Sequence, residues 1–387
     1  MASSDVVILS AARTPIGRYG GTLRDVHPAE LGAVAARAAI ERAGVTAADV
    51  DEVWIGHGRQ AGSGPNPGRQ VGHRAGIPHT APAQTINKAC ASGLQAIVSG
   101  AQAILLGDSN VVLAGGIESM SRMPYLVDAV DARWGHRMGN FTFVDAMYRD
   151  GFQCPLSGKI MGETAETLAQ RYGITREESD CFGFESQRKA KAAIDAGYFT
   201  REITPIDELT HDEHPRATTI ESLKKLPPVF GGGIITAGTS SGITDGGAAL
   251  ILTSADHARA RGLKPRARIL GWASAGVDPA IMGIGPVPAM RKLEARIGIT
   301  STDYDLVELN EAFAPQVIAV LREIPISADR LNVNGGAIAL GHPIGCTGAR
   351  IVVTLLHELE RRGARLGLAT LCVSGGMGMA LAIERIA

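Results

Sequence analysis

The chain has 387 residues, of which 45% are apolar and 20% charged, and its net charge is −1. This length exceeds a usual single domain, and the balance is that of an ordinary globular enzyme. A net charge near zero and 4% aromatic content exclude attraction by a global field and a base-stacking platform, so neither nucleic acid nor membrane is an expected partner.

The N-terminus lacks a basic segment followed by an apolar stretch, and no apolar run reads as long enough to span a bilayer. The five cysteines (Cys90, Cys154, Cys181, Cys346, Cys372) show no CxxC spacing, and no Cys/His pair has metal-ligand spacing. Free thiols in a reducing cytoplasm and no metal are the expectation.

Leu31 to Ile55 reads as an amphipathic helix, a glycine stop and a strand, with Leu31, Val34, Ala35 and Ala38 on one face. Ala83 to Ile86 is strand-like, and Ala89 to Gly107, free of charge, predicts a buried helix. Cys90 therefore falls at a helix start, where unpaired N–H groups and the dipole are expected to lower the thiol pKa. A packed core cysteine is the competing reading.

Residues 121–239 differ in character, rich in charge and aromatics, with a helix from Thr175 to Ala196 opened by a Thr175/Glu178 capping box. This segment reads as an inserted domain that holds a substrate's handle. From Ser240 the chain returns to a Gly-rich turn and a buried strand.

Pro288 to Leu309 then repeats the earlier pattern: Gly44, Thr46, Asp49, Asp51 and Val53 match Gly298, Thr300, Asp303, Asp305 and Val307, 254 positions later. Ser92-Gly93 matches Thr347-Gly348 at 255. Leu113-Ala114-Gly115-Gly116 resembles Val373-Ser374-Gly375-Gly376 after a strand. The order of these matches predicts a duplicated α/β unit. The boundaries read as 1–120 plus 240–268, an insert at 121–239, and 269–387.

Three C-terminal clusters carry chemistry. Glu308-Leu309-Asn310-Glu311 ends a repeat-matched strand, where α/β sites gather, although a capping Asn is the rival reading. His342, between Gly341 and Pro343, sits on a constrained loop and could pair with a cysteine thiol, or simply bond to backbone. Cys372 precedes the turn Ser374-Gly375-Gly376; it could move a proton while the turn donates N–H groups, or be a small core residue.

Taken together these segments resemble the thiolase family over essentially the whole chain. Ala11-Ala12-Arg13-Thr14-Pro15, Gly115 to Ser121, Met161 to Glu166 and Thr236 to Gly242 are similar to family segments as well. The resemblance implies two βαβαβαββ halves in a five-layer αβαβα core with an inserted loop domain. It implies a Cys90 acyl-thioester, His342 taking the Cys90 proton, and Cys372 moving the α-proton of a second acyl-CoA. Asn310 would hold a water that forms one oxyanion hole with His342, and the backbone N–H groups of Cys90 and Ser374 would form the other.

Ser241 and Met161 would lie along the CoA, with Arg216 and Ser222 near its nucleotide end. Coenzyme A is then substrate and product, no separate cofactor is needed, and the partners are acyl-CoA and further copies in a homodimer or homotetramer. Ser374, Ala91, Ile160 and the stretch His57-Gly58-Arg59-Gln60 depart from the family's pattern. A β-ketoacyl synthase would show a Cys–His–His arrangement, where this chain has Asn310 and Cys372. A non-catalytic acyl-CoA binder would lack one of Cys90, His342 and Cys372.

Overall fold

The computed structural model describes residues 5–386. The first half runs β1 (Val6–Arg13), β2 (Gly17–Arg18), α1 (Pro28–Ala43), β3 (Glu52–His57), α2 (Pro67–Arg74), β4 (Ala83–Ile86), α3 (Ser92–Leu106) and β5 (Val111–Ser119). A middle segment holds β6 (Tyr125–Leu126), β7 (Val144–Asp145), α4 (Met161–Arg171), α5 (Arg176–Asp195) and α6 (Ile220–Lys224). β8 (Thr244–Ser254) completes the first half and α7 (Ala255–Ala260) follows it. The second half runs β9 (Ala267–Gly276), α8 (Pro286–Ile297), β10 (Leu306–Leu309), α9 (Ala314–Glu323), α10 (Ala337–Leu340), α11 (Ile344–Arg362), β11 (Leu366–Val373) and β12 (Met377–Arg385).

Ten strands pair in the order β10-β11-β12-β9-β1-β8-β5-β3-β4, with β2 against β8. The two half-sheets meet through a short antiparallel contact, Val7 with Arg268 and Ile8 with Ala267. Alternation sets the layers. Val6, Ile8 and Ala11 of β1 face a central core with Leu94 and Ile97 of α3, Ile351 and Leu355 of α11, and Leu371 and Leu381 of the second half. Val7 and Leu9 face the other way, onto Ala35 and Ala39 of α1. Leu293 of α8, Val317 of α9 and Leu368 of β11 form the outer core of the second half. The result is helix, sheet, paired central helices, sheet, helix.

The repeat is physical as well as textual. α1 ends on Gly44 (φ 70°) and α8 on Gly298 (φ 70°), each a left-handed C-cap. Asp49 accepts from the backbone N–H and hydroxyl of Thr46, and Asp303 does the same for Thr300. Asp51 then accepts from the N–H groups of Asn110 and Val111, which open β5, and Asp305 from those of Arg365 and Leu366, which open β11.

The third textual match is out of register. Val53 pairs with Leu113 and Val307 with Leu368, so the counterpart of Leu113-Ala114 is Leu368-Ala369. Gly115 and Gly116 lie inside β5, whereas Ser374 to Gly376 form the turn between β11 and β12. Gly116 is in the strand because its Cα faces the Gly345 carbonyl too closely for a Cβ. In the second half the third strand has shrunk to one bridged pair, Val307 with Leu331.

Two further expectations change. The boundary expected between residues 268 and 269 falls inside β9, which pairs with β12 along Ala267 to Gly276. The stretch Ala89–Leu106 is after all long and apolar enough to cross a bilayer, yet 67% of it is buried inside the protein. It is the central core helix, and apolar on all sides because sheets and α11 surround it.

Where α3 crosses α11, each helix presents a glycine. A Cβ on Gly93 would stand 2.8 Å from the Ala349 nitrogen, and one on Gly348 would enter the backbone of Leu94. This close approach, between the repeat-matched glycines, brings the two halves' helix starts together.

Candidate active site

The site forms at carboxyl ends of parallel strands in both halves, where polar backbone groups are free. After β4 the chain turns through Asn87-Lys88-Ala89-Cys90. The Ser92 hydroxyl ties this turn, accepting from the Lys88 N–H at 2.9 Å and donating to the Ala89 carbonyl at 2.7 Å. Ala89 is held at φ 45°, a left-handed conformation that costs a residue with a Cβ about 1 kcal/mol or more. α3 therefore begins at Ser92, two residues past Cys90, rather than at Ala89.

The Cys90 sulfur accepts its own N–H and that of Ser374, the two groups expected to form an oxyanion hole. Burial pushes the thiol above its ordinary value, against the Arg59 charge and these two N–H groups, with Glu118 adding to the rise. The expected lowering by the helix start is reversed. Desolvation of a thiolate outweighs partial charges at a helix end that has slid two residues away.

Cys372, at the end of β11, is fully buried, packed with Met161, Met282, Ala312 and Phe313. Its thiol is driven well above the ordinary range, first by burial and then by the nearby Cys90 sulfur. The two thiols, 282 positions apart, thus lie near enough for the charge of one to act on the other. The Ser374–Gly376 turn that delivers the N–H to Cys90 needs glycine, since Gly375 and Gly376 have φ 87° and 83°.

His342 follows Gly341, whose φ of 102° and close contact with Thr244 admit no side chain. Its N–H bonds the Gly242 carbonyl at 3.0 Å. The Thr347 hydroxyl donates to the Pro343 carbonyl at 2.9 Å and accepts from His342 Nδ1 at 2.6 Å. The ring hydrogen is thereby fixed on Nδ1, leaving Nε2 as the acceptor, 3.5 Å from Asn310 Nδ2. Burial, then the Arg350 and Arg59 charges, lower the His342 pKa to about 3. The imidazole is neutral at rest. Among the described residues, Asn310 Oδ1 is buried without a hydrogen-bond partner.

The residues expected along the CoA lie at increasing exposure. Met161 opens α4 and is half-buried against the Cys372 cluster. Ser241 donates its N–H to Ala312 at 3.0 Å. Arg216 and Ser222 are exposed. Arg216 reaches the Ala237 carbonyl at 3.3 Å, and the Ser222 hydroxyl is spent on the Thr219 turn that opens α6.

Two further neighbours of the site, Glu118 and Arg59, were given no role from sequence, although each falls in a stretch noted there, Gly115 to Ser121 and His57 to Gln60. Fully buried Glu118 accepts from the N–H groups of Gly58 (3.1 Å), Arg59 (3.2 Å) and Gly345 (2.8 Å), and lies 3.0 Å from His57 Nε2. It links the end of β3 to the start of α11, just after His342.

Residues 6–256 match the family model "Thiolase, N-terminal domain" and residues 263–385 match "Thiolase, C-terminal domain". An acetyl-CoA acetyltransferase of Pseudomonas aeruginosa is 52% identical over 98% of this chain and 99% of its own length. One of Syntrophomonas wolfei is 48% identical over 99% of each. Among solved structures, human mitochondrial 3-ketoacyl-CoA thiolase in complex with CoA superposes with a TM-score of 0.96 at 44% identity over 100% of both chains. An acetyl-CoA acetyltransferase of Bacillus anthracis superposes with 0.95 at 47% identity over 99% of both.

Proposed function

The chain belongs to the thiolase family and is an acyltransferase acting on CoA thioesters, and on that premise we propose the roles of its site residues. Cys90 is the nucleophile. Its proton passes to His342 Nε2 as the sulfur attacks an acyl-CoA carbonyl, and the thiol of Cys372 protonates the departing CoA. The N–H groups of Cys90 and Ser374, aimed at the sulfur at rest, hold the developing oxyanion.

Cys372, now a thiolate, takes the α-proton of a second acetyl-CoA. The resulting enolate is held by His342 and a water on Asn310, and attacks the Cys90 thioester. Cys90 leaves as a thiolate and recovers its proton from His342, so every group returns to its starting state. Run backwards, the same steps cleave a 3-ketoacyl-CoA with CoA. What supports this reading is that the Ser374 N–H reaches the Cys90 sulfur, that Cys90 acts on the Cys372 thiol, and that His342 Nε2 stands 3.5 Å from Asn310 Nδ2.

Met161 and Ser241 flank the pantetheine arm in this reading, and Arg216 and Ser222 stand at the nucleotide end. CoA serves as substrate and product with no further cofactor, the working form is a homodimer or homotetramer, and the setting is the reducing cytoplasm, where two reactive thiols survive. Domain roles follow: residues 121–239 hold the CoA and the two halves supply the chemistry.

Cys90→Ser is expected to give no acetyl-enzyme by mass spectrometry with acetyl-CoA. Cys372→Ala is expected to acetylate at Cys90 but to lose about 10²–10⁴-fold in condensation. A condensing Cys372→Ala enzyme would remove that residue from the scheme. Turnover only with acyl-carrier-protein substrates would instead favour a β-ketoacyl synthase.

A further inference from the structure

Arg59 is 8% exposed, yet among the described residues its guanidinium bonds only carbonyl oxygens. Nη2 donates to Gly151 at 2.6 Å and Nη1 to Gly58 at 3.4 Å, while Nε is buried without a partner. Glu118 is near, but its oxygens already take three backbone N–H groups and abut His57. A buried cation without an anion is costly, and a guanidinium fork is shaped for a carboxylate.

Its chain neighbours link this cation to the surroundings of Cys90. Gly58 lies against Ile344, and Gly151 precedes Phe152. Ile344 and Phe152 pack on Cys90 together with Met120, Met123, Met147 and Ile243. The charge of Arg59 is felt at both Cys90 and His342. An acyl group on Cys90 thus enters an apolar surround rich in methionine, which adapts to methylene chains, with one unpaired cation at its border.

We propose that Arg59 makes the site selective for acyl groups ending in a carboxylate, that is, mono-CoA thioesters of 3-oxo diacids. The proposal rests on the Cys90 acyl-enzyme reading above. In thiolysis the bond between C2 and C3 breaks, acetyl-CoA departs, and the shortened acyl group with its terminal carboxylate sits on Cys90 facing Nε and Nη of Arg59. CoA then releases it as a second thioester, with no oxidant or reductant involved.

The test compares thiolysis of two six-carbon 3-oxoacyl-CoA probes, one ending in methyl and one in carboxylate. The wild-type ratio of kcat/KM is expected to favour the carboxylate by about tenfold or more. Arg59→Leu should lower that ratio at least tenfold, through KM of the charged probe, and Arg59→Lys should fall between, keeping the charge without the fork. A wild-type preference for the methyl probe, or an equal loss on both probes in Arg59→Leu, overturns the proposal and leaves Arg59 as an anchor for Gly151. Acetylation of Cys90 by acetyl-CoA is measured in parallel: its absence in the wild type would sink the nucleophile reading itself, whereas normal acetylation with a flat probe ratio sinks only the role of Arg59.

Discussion

At the scale of single residues, neutrality organises the site. Both thiols are pushed up and His342 down, all chiefly by burial, so the resting pocket carries no ion pair between Cys90 and His342. In the proposed scheme charge separates only when substrate covers the pocket. Alkylation of Cys90 by uncharged iodoacetamide should therefore keep rising with pH, without a plateau below the thiol's ordinary value of 9.0. A plateau near neutrality would restore the helix-start argument made from sequence. That argument failed because adjacency in sequence reports local dipoles, while burial is set by residues such as Met120, Phe152 and Ile344, which are distant in the chain. Residue type and place in the chain marked Cys90, Cys372, Asn310 and the loop residue His342 as candidates, each with a structural rival, and only the family resemblance supplied their roles. The pairing of Nδ1 with Thr347 was not, since nothing in the sequence says which hydroxyl a loop histidine will meet.

At the scale of elements, α3 and α11 touch through bare backbone at Gly93 and Gly348. Adding one methyl in Gly348→Ala should cost about 1–3 kcal/mol, read as a lower urea midpoint. It should also slow acetylation of Cys90, because α11 carries the His342 loop and α3 the nucleophile. Loss of stability with an unchanged acetylation rate would mean that the crossing does not position the pair. Much at this level could be read beforehand. The Thr175/Glu178 box opens α5 as expected, with the Thr175 N–H on Glu178 at 2.7 Å. The Thr46/Asp49 and Thr300/Asp303 pairs owe their recurrence to hydrogen bonds that any copy of the turn must make. The run of Leu113 to Gly116 misled because small residues recur for two reasons, close packing inside β5 and positive φ in the turn after β11, and the letters do not distinguish them.

Across the whole molecule, the two halves share one core and a seam of buried polar groups. His357 of α11 reaches across that seam to the Ala11 carbonyl of β1 at 3.2 Å. Burial, with the Arg266 charge next, lowers its pKa to about 3. Unfolded, it would take a proton near 6.5, so the stability tied to its neutral form is complete above that pH and is lost as pH falls toward 3. Denaturation midpoints should thus decline on acidification, with His357 contributing roughly 2–4 kcal/mol by pH 4. His357→Gln, which keeps a donor for Ala11, should flatten the slope of stability against pH between 6.5 and 4; curves parallel to wild type would exclude the residue as a source. The duplicated architecture was visible in the repeat, but the reduction of one edge strand to Leu331 was not, because its counterpart Ala83 to Ile86 has no textual match.

The Thr347 hydroxyl turns one side of an imidazole into a dead end. Its own hydrogen is spent on Pro343, so the hydrogen on Nδ1 has no onward path, and whatever arrives at Nε2 must depart from Nε2. In the proposed scheme the ring then works as a parking place rather than a conduit: it keeps what Cys90 gives up for as long as the thioester lasts and hands it back to the same sulfur. On that scheme the lifetime of the acyl-enzyme sets how long the positive charge is stored.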